Sequence, residues 1–160
     1  MEGEFESDVT RKLQRAGIRY EVRRHSKQAL TCELAAEERG VRVSQIVKCM
    51  VGQTSQEELV VMLLPGNRKL KISKVRKFLR QPTLNLTNPN DLARKLGLTV
   101  GAISPVQLMG RSTMLADPTV VDEGIVDISS GDPLAGVELR SRELIDFLGA
   151  EVVDIISARS

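Results

Sequence analysis

The 160-residue chain has no tryptophan, one tyrosine and three phenylalanines. So few rings argue against a single-strand binder that stacks bases on rows of aromatics. A single histidine, His25, leaves little with which to build a His-rich zinc site or a Ser-His-Asp triad with a spare histidine. The two cysteines, Cys32 and Cys49, stand 17 positions apart with no Cys-x-x-Cys. That pattern excludes a disulfide scaffold and points to a reducing compartment. No apolar run approaches the ~18 residues of a membrane span. The longest, Leu59 to Leu64, suits a buried strand. The start, MEGEFESD, is acidic and polar, unlike a secretory signal or transit peptide, so a cytoplasmic protein with no membrane partner is expected. Neither GxGxxG nor GxxxxGK[ST] occurs, so no phosphate-cradling nucleotide loop is readable.

What is present is an ordinary globular composition, 41% apolar and 28% charged, with a net charge of +2. A chain this long buries enough surface to fold without a metal, and no metal or cofactor is expected. The charge is unevenly spread. Gly66 to Arg80 holds seven Lys or Arg and no acid, whereas Asp117 to Asp154 holds ten acids and two basic residues. Such asymmetry orients a polyanion on one face, or it marks a solvated helix. Lys69, Lys71, Lys74 and Lys77 are the candidate RNA contacts, and the acidic C-terminal third is expected to face away from RNA.

There is no internal repeat, low-complexity tract or dividing linker, so residues 1–160 read as one domain. Ser7 or Asp8 caps a first helix ended by Gly17, and Thr31 caps a second ended by Gly40. Ile18, Tyr20 and Val22 alternate like a strand. Ile46–Val51 and Glu58–Leu64 read as strands, the second ended by Pro65-Gly66. Ser73 caps a third helix stopped by Pro82. Asn88-Pro89-Asn90-Asp91 is a clear helix start, with Gly97 as its stop. Short strands follow at Thr113–Ala116, Ile125–Ile128 and Val137–Leu139, then a helix from Ser141 to Gly149 and a strand at Val152–Ile156. Strands and helices mix without regular alternation. The expected class is α+β: a mixed, mainly antiparallel, barrel-like sheet with surrounding helices.

Three segments carry candidate chemistry. Lys48 is a lone charge in Ile46-Val47-Lys48-Cys49-Met50-Val51, and alternation puts Met50 on its face. Such a lysine either snorkels to solvent on an edge strand or sits in a pocket with an anionic partner. In Gly97-Leu98-Thr99-Val100-Gly101-Ala102-Ile103-Ser104-Pro105, two glycines permit tight turns, and Ala102 and Ile103 are expected to offer free N–H groups. This loop is either a turn or a set of backbone donors for a carbonyl. Ser129-Ser130-Gly131 offers hydroxyls and a glycine for a polar ligand, or a simple strand end. His25, after Arg23-Arg24 at a strand end, reads as a surface residue or else as a base. Cys32, near a helix N-terminus, has the setting for some thiolate character.

The order of these pieces resembles the YbaK/prolyl-tRNA synthetase-associated domain family. It runs from His25 through Val47-Lys48, Leu64-Pro65-Gly66 with Leu70-Lys71-Ile72-Ser73-Lys74-Val75, and Gly-x-x-x-Gly-Ala-Ile-Ser-Pro to Ile-x-Ser-x-Gly and Val-Glu-Leu. The family comprises free-standing aminoacyl-tRNA deacylases and the editing domain of bacterial prolyl-tRNA synthetases. The resemblance implies a trans-editing hydrolase that deacylates mischarged aminoacyl-tRNA, of the Cys- or Ala-tRNA(Pro) type. It implies that Lys48 contacts the end of the acceptor strand, that the backbone of Gly101, Ala102 and Ile103 binds the aminoacyl ester, and that Ser104 and Pro105 belong to the same loop. The resemblance further implies that Ser129 lines the amino-acid pocket, with Leu30 and Thr31 in its wall; Gly131 and Met50, next to Ser129 and Lys48, are taken as further substrate-binding candidates. The expected partners are the acceptor end of aminoacyl-tRNA and an aminoacyl-tRNA synthetase.

Three positions depart from the family pattern. Thr31 or its neighbour stands where Cys-tRNA-editing members have an aromatic, Cys49 replaces a hydroxyl residue, and Gly136 replaces an aspartate. All fall in or near the amino-acid pocket. Two other classes stay open on sequence: a non-catalytic tRNA- or synthetase-binding module, and a binder of a small amino acid or nucleotide.

Overall fold

The computed structural model describes residues 5–158. The start of the acidic N-terminal segment, Met1 to Glu4, and the two ends of the expected domain lie outside the described residues. Six helices and eight strands follow in mixed order.

Helix α1 (Asp8–Arg15) begins where Ser7 and Thr10 form a reciprocal capping box, and it buries Val9 and Leu13 completely. Strand β1 (Glu21–Arg24) starts later than the alternation from Ile18 predicts. Helix α2 (Cys32–Arg39) is capped by the Thr31 hydroxyl and closed by Gly40 in the left-handed region. Strands β2 (Val47–Gln53) and β3 (Leu59–Pro65) pair antiparallel with Lys48 opposite Leu64. Helix α3 (Ile72–Leu79) corrects one expectation. Its N-cap is Lys71, without a side-chain cap, and Ser73 lies inside the helix. It stops at Arg80, which takes a positive φ of 56°, before Pro82 is reached.

The short β4 (Asn85–Leu86) leads to α4 (Pro89–Leu96), where Asn88 accepts from the Asn90 and Asp91 N–H groups and Gly97 ends the helix. After β5 (Thr113–Ala116), a further helix α5 (Pro118–Asp122) is capped by Asp117. Strands β6 (Ile125–Ser129) and β7 (Ala135–Arg140), helix α6 (Ser141–Leu148) and β8 (Glu151–Val152) complete the chain. The last strand is shorter than expected; beyond it Ile156 makes only an isolated bridge to Leu70.

The strands form two sheets. One is the antiparallel set β1-β7-β6; the other is β4-β2-β3-β5-β8, antiparallel at β4-β2-β3 and parallel at β3-β5-β8. The α+β class and the predominance of antiparallel pairs agree with the sequence reading. The barrel-like closure does not. Neither sheet returns on itself, and between named strands the two are joined by no ladder; Ile46 bridges Asp127 where they meet. The two-residue outer strands β4 and β8 are too short to carry the hydrogen bonding round.

Strand β3 explains its own unbroken apolar run. Val61 and Leu63 face a core shared with β6, β7, α1 and α6, while Val60, Met62 and Leu64 face a second core under α3. A strand buried on both faces has no polar side to alternate. Beside it, β4 pairs with only Gly52 and Gln53 of β2. The stretch Val47 to Met50 is therefore an open edge, and α2 and the loop after α4 lie across it.

Candidate active site

A cavity of about 430 Å³ lies along that edge. Its walls come from the loop before α2 (Leu30, Thr31), α2 (Cys32, Ala35, Arg39), β2 (Val47 to Val51), the start of α4 (Thr87, Pro89, Leu92), the glycine loop (Gly101, Ile103, Pro105) and Ser129. Lys48, Gly101, Ile103, Leu30, Thr31, Met50, Pro105 and Ser129, picked from sequence, thus gather in one place. A larger, open groove lined by Thr54, Asn85 and Arg111 contains none of them, meeting the cavity at Leu86, Thr87 and Leu92.

Lys48 is half-buried, and its Nζ donates to the Arg68 carbonyl at 2.7 Å. This bond anchors the head at the cavity edge beside the basic segment. An ammonium has three donors, so two remain. The neighbouring Cys49 turns to the other face of the strand, and burial pushes its thiol up to about 12. The Cys32 thiol is raised as well, mainly by burial, with the Lys48 charge opposing. The expected thiolate character of Cys32 is thereby corrected: loss of hydration outweighs the helix N-terminus and the nearby cations.

In the glycine loop, Gly101 has a φ of 83°, a conformation that L side chains rarely adopt, and a Cβ there would meet Leu30 Cδ2 at 2.9 Å. The Gly101 and Ile103 N–H groups make no hydrogen bond among the described residues. Ala102 differs from expectation. Its N–H donates to the Thr99 carbonyl at 3.1 Å and its side chain is buried, so it is not a free donor. The Ala102 carbonyl accepts from Ser129 Oγ at 2.9 Å, and that oxygen accepts from the Gly131 N–H at 3.1 Å. Ser129 therefore ties the loop to the end of β6.

Besides Ala102, two candidates fall outside the cavity lining. Ser104 is fully buried and caps the short 3₁₀ turn Pro105–Leu108, accepting from the Val106 N–H while its own N–H donates to Gln107 Oε1 at 2.9 Å. Gly131 backs onto the Gln107 and Asp8 side chains. His25 also lies outside the lining, its Nδ1 against the Lys27 carbonyl at 2.7 Å.

The basic segment is less free than its composition implies. Lys74 holds Asp154 at 2.8 Å and the Ile156 carbonyl at 2.7 Å. The Lys74 ammonium in turn keeps the Asp154 carboxyl below its ordinary range. Lys74 is thus engaged by the protein, and an acid of the C-terminal third reaches the basic face instead of turning from it. Lys69, Lys71 and Lys77 are exposed. None of the four lysines lines the cavity, although Arg68 joins the segment to Lys48.

Sequence reasoning missed Arg39. It ends α2, and its guanidinium lies over Gly136, where a Cβ would overlap Cζ and Nε. The readable signal is spacing: Cys32, Ala35 and Arg39 stand at i, i+3 and i+7, so a small-residue helix face ends in a cation. Buried beneath is Asp127. Its carboxyl is pushed up to about 7, first by burial, then by Glu138 opposite it on β7, with Arg39 and Arg23 opposing. Arg23 clasps Glu138 at 3.0 Å and holds that carboxyl below its usual range. Among the described residues no group of His, Cys, Asp or Glu could hold a metal ion, and no helix is long and apolar enough to cross a membrane.

The aminoacyl-tRNA editing domain family matches residues 26–147, a span that includes every residue of the cavity. A proline–tRNA ligase from Limosilactobacillus fermentum is 32% identical over 107 residues, covering 64% of this chain and 18% of that protein. One from Thermosipho melanesiensis is 29% identical over 82 residues, covering 51% and 14%. The chain therefore spans less than a fifth of the ligases it matches. A protein of nearer size, from Enterococcus faecalis, is named as a candidate Cys-tRNA(Pro)/Cys-tRNA(Cys) deacylase, EbsC; it is 24% identical over 131 residues, covering 81% of this chain and 79% of that one. Among solved structures, a hypothetical protein superposes with a TM-score of 0.86 at 24% identity, over 94% of this chain and all of the other. A candidate trans-editing enzyme for prolyl tRNA synthetase superposes with a TM-score of 0.79 at 22% identity, over 96% of this chain and 100% of that one. At these identities the superpositions establish the fold.

Proposed function

This chain belongs to the aminoacyl-tRNA editing domain family, and from that premise we propose that it hydrolyses the ester of mischarged aminoacyl-tRNA in trans, in the cavity along β2. One observation supports the reading above the rest. The half-buried Lys48 lines the same cavity as Gly101 and Ile103, whose N–H groups are unengaged, though they come from a strand and a loop about fifty residues apart in the chain.

An aminoacyl ester is already activated. Its hydrolysis needs a positioned nucleophile and stabilisation of the oxyanion, not a full triad. The Gly101 and Ile103 N–H groups are the donors for the ester carbonyl as charge develops on it. Lys48, fixed by the Arg68 carbonyl, uses its remaining donors to hold the terminal phosphate or ribose. No His lines the cavity, and the thiols of Cys32 and of Cys49, the latter turned to the other face of β2, are both raised away from the nucleophilic form. A water or a hydroxyl of the terminal ribose therefore attacks, with the protein supplying geometry. Leu30 and Thr31 wall the amino-acid side. Proline-type tRNA charged with Cys is the substrate the relatives' names favour, and Ala is the other small wrong amino acid that the resemblance implies. The acceptor end enters the cavity, the body of the tRNA lies toward Lys69, Lys71 and Lys77, and a synthetase is a second partner. The site acts in the cytoplasm, within one domain, without a metal or cofactor.

The test is release of amino acid from a panel of charged tRNA(Pro) and non-proline tRNAs. Turnover supports the hydrolase. Salt-dependent tRNA binding without turnover supports the alternative of a binding module. Binding of free amino acid or nucleotide, with no tRNA affinity, supports a small-molecule binder.

A further inference from the structure

Arg39 is a cation at the cavity wall with nothing of its own to bind. No described residue accepts a hydrogen bond from its guanidinium, and Nε is sealed from solvent without a partner. Asp127 acts on it only through space. Leaving such donors unsatisfied is costly, unless a ligand supplies the acceptor.

The position of the group says which part of a ligand it meets. The guanidinium lies over Gly136, and Gly136 stands directly across the β6–β7 ladder from Ser129. Ser129 in turn holds the Ala102 carbonyl of the glycine loop. Arg39 is thus beside the loop proposed to bind the ester, whereas the Lys48 head is drawn to Arg68 in the basic segment. An α-ammonium would be repelled by Arg39, so the side chain of the aminoacyl group is the part turned toward it.

We infer that Arg39 selects the amino acid, donating hydrogen bonds to an oxygen at the end of its side chain, hydroxyl or carboxylate, and so favouring it over an apolar side chain of the same shape. The inference rests on the reading of the cavity as the aminoacyl-ester site. Gly136 is the enabling residue, because any side chain there would occupy the place of the guanidinium. The raised Asp127 carboxyl is consistent with this, since near neutrality it compensates the Arg39 charge only in part.

The experiment compares wild type, Arg39→Met and Arg39→Lys on tRNA(Pro) charged with Thr or Val, and with Asp or Leu. Binding of the hydrolysis-resistant, amide-linked 3′-aminoacylamino-adenosines of the same four amino acids is measured by calorimetry. Wild type is expected to prefer Thr over Val or Asp over Leu, the pair that responds telling hydroxyl from carboxylate. A hydrogen bond to a charged donor predicts that this ratio falls about ten- to a hundredfold in Arg39→Met and recovers in part in Arg39→Lys. Equal loss on all four substrates, with unchanged ratios, overturns the inference and assigns Arg39 to the nucleotide they share. If no charged tRNA is hydrolysed but the analogues still show an Arg39-dependent preference, the hydrolase reading fails and the selection stands. If the analogues bind with no such preference, the selection fails whatever the turnover.

Discussion

Ser129 Oγ and the Ala102 carbonyl, 2.9 Å apart, tie the glycine loop to the end of β6. The same oxygen accepts from Gly131, so one hydroxyl fixes the loop that presents Gly101 and Ile103. Ser129→Ala is expected to slow kcat ten- to a hundredfold, since a misplacement of about 1 Å costs on that order, with a smaller change in KM. Ser129→Thr, which keeps the hydroxyl, should recover most of the loss. A fall confined to KM, or no recovery with Thr, would make Ser129 part of the pocket wall only.

The loop also predicts a contrast between neighbours. Gly101→Val places a side chain at a φ of 83° and against Leu30, displacing the donors; losing one such donor costs about 10²–10³ in rate. Ser104→Ala removes a cap of the turn Pro105–Leu108, so it should lower stability by about 1 kcal/mol and leave turnover within a few-fold. Steady-state rates beside thermal melts of both variants check this. A rate loss for Ser104→Ala matching that of Gly101→Val would place the serine hydroxyl in the chemistry.

Electrostatics divide the basic segment in two. Lys69, Lys71 and Lys77 are exposed, but Lys74 is held by Asp154 and Ile156. Charge reversal of Lys71 and Lys77 together should weaken tRNA binding and flatten the salt dependence by about 0.7–0.9 for each phosphate no longer neutralised. Lys74→Ala should chiefly lower the melting temperature. An unchanged salt slope in the double reversal would put the tRNA on another face.

The buried carboxyl of Asp127 makes stability depend on pH. Its folded value is raised to about 7, against about 3.9 for a free aspartate. A raised folded value means the contribution is full below about pH 4 and is lost as pH rises through about 7. Asp127→Asn removes that loss. The melting temperature of the variant should therefore gain on wild type between pH 5 and pH 8. A gap that does not change with pH would mean that Asp127 titrates alike in the folded and unfolded chain.

Much of this was legible because local chemistry was strong. Thr31, Asn88 and Gly97 cap their helices as their residue types predict, and the two-sided burial of β3 shows in its unbroken apolar run. Asp117-Pro118-Thr119 carries the same start signal as Asn88-Pro89, but its five-residue helix holds no periodicity to expose it. Barrel closure depends on where sheets end, which no local pattern states. The loop was legible from its glycines, whereas the engagement of Ala102 by Thr99 and of Lys74 by Asp154 depends on backbone geometry and on packing across the fold. Arg39 was hidden because a basic residue in the last turn of a helix is explained by the helix dipole alone.

Single-turnover release of the amino acid from mischarged tRNA(Pro), by wild type and by Lys48→Ala, tests the central claim most directly. Lys48→Ala leaves the Arg68 carbonyl without its donor, at a cost of about 1 kcal/mol, so the variant should remain folded by circular dichroism. The account predicts rapid release by wild type and loss of most of that rate in the folded variant at saturating tRNA. Release by the variant at the wild-type rate would contradict it and leave Lys48 a lysine on an open strand edge.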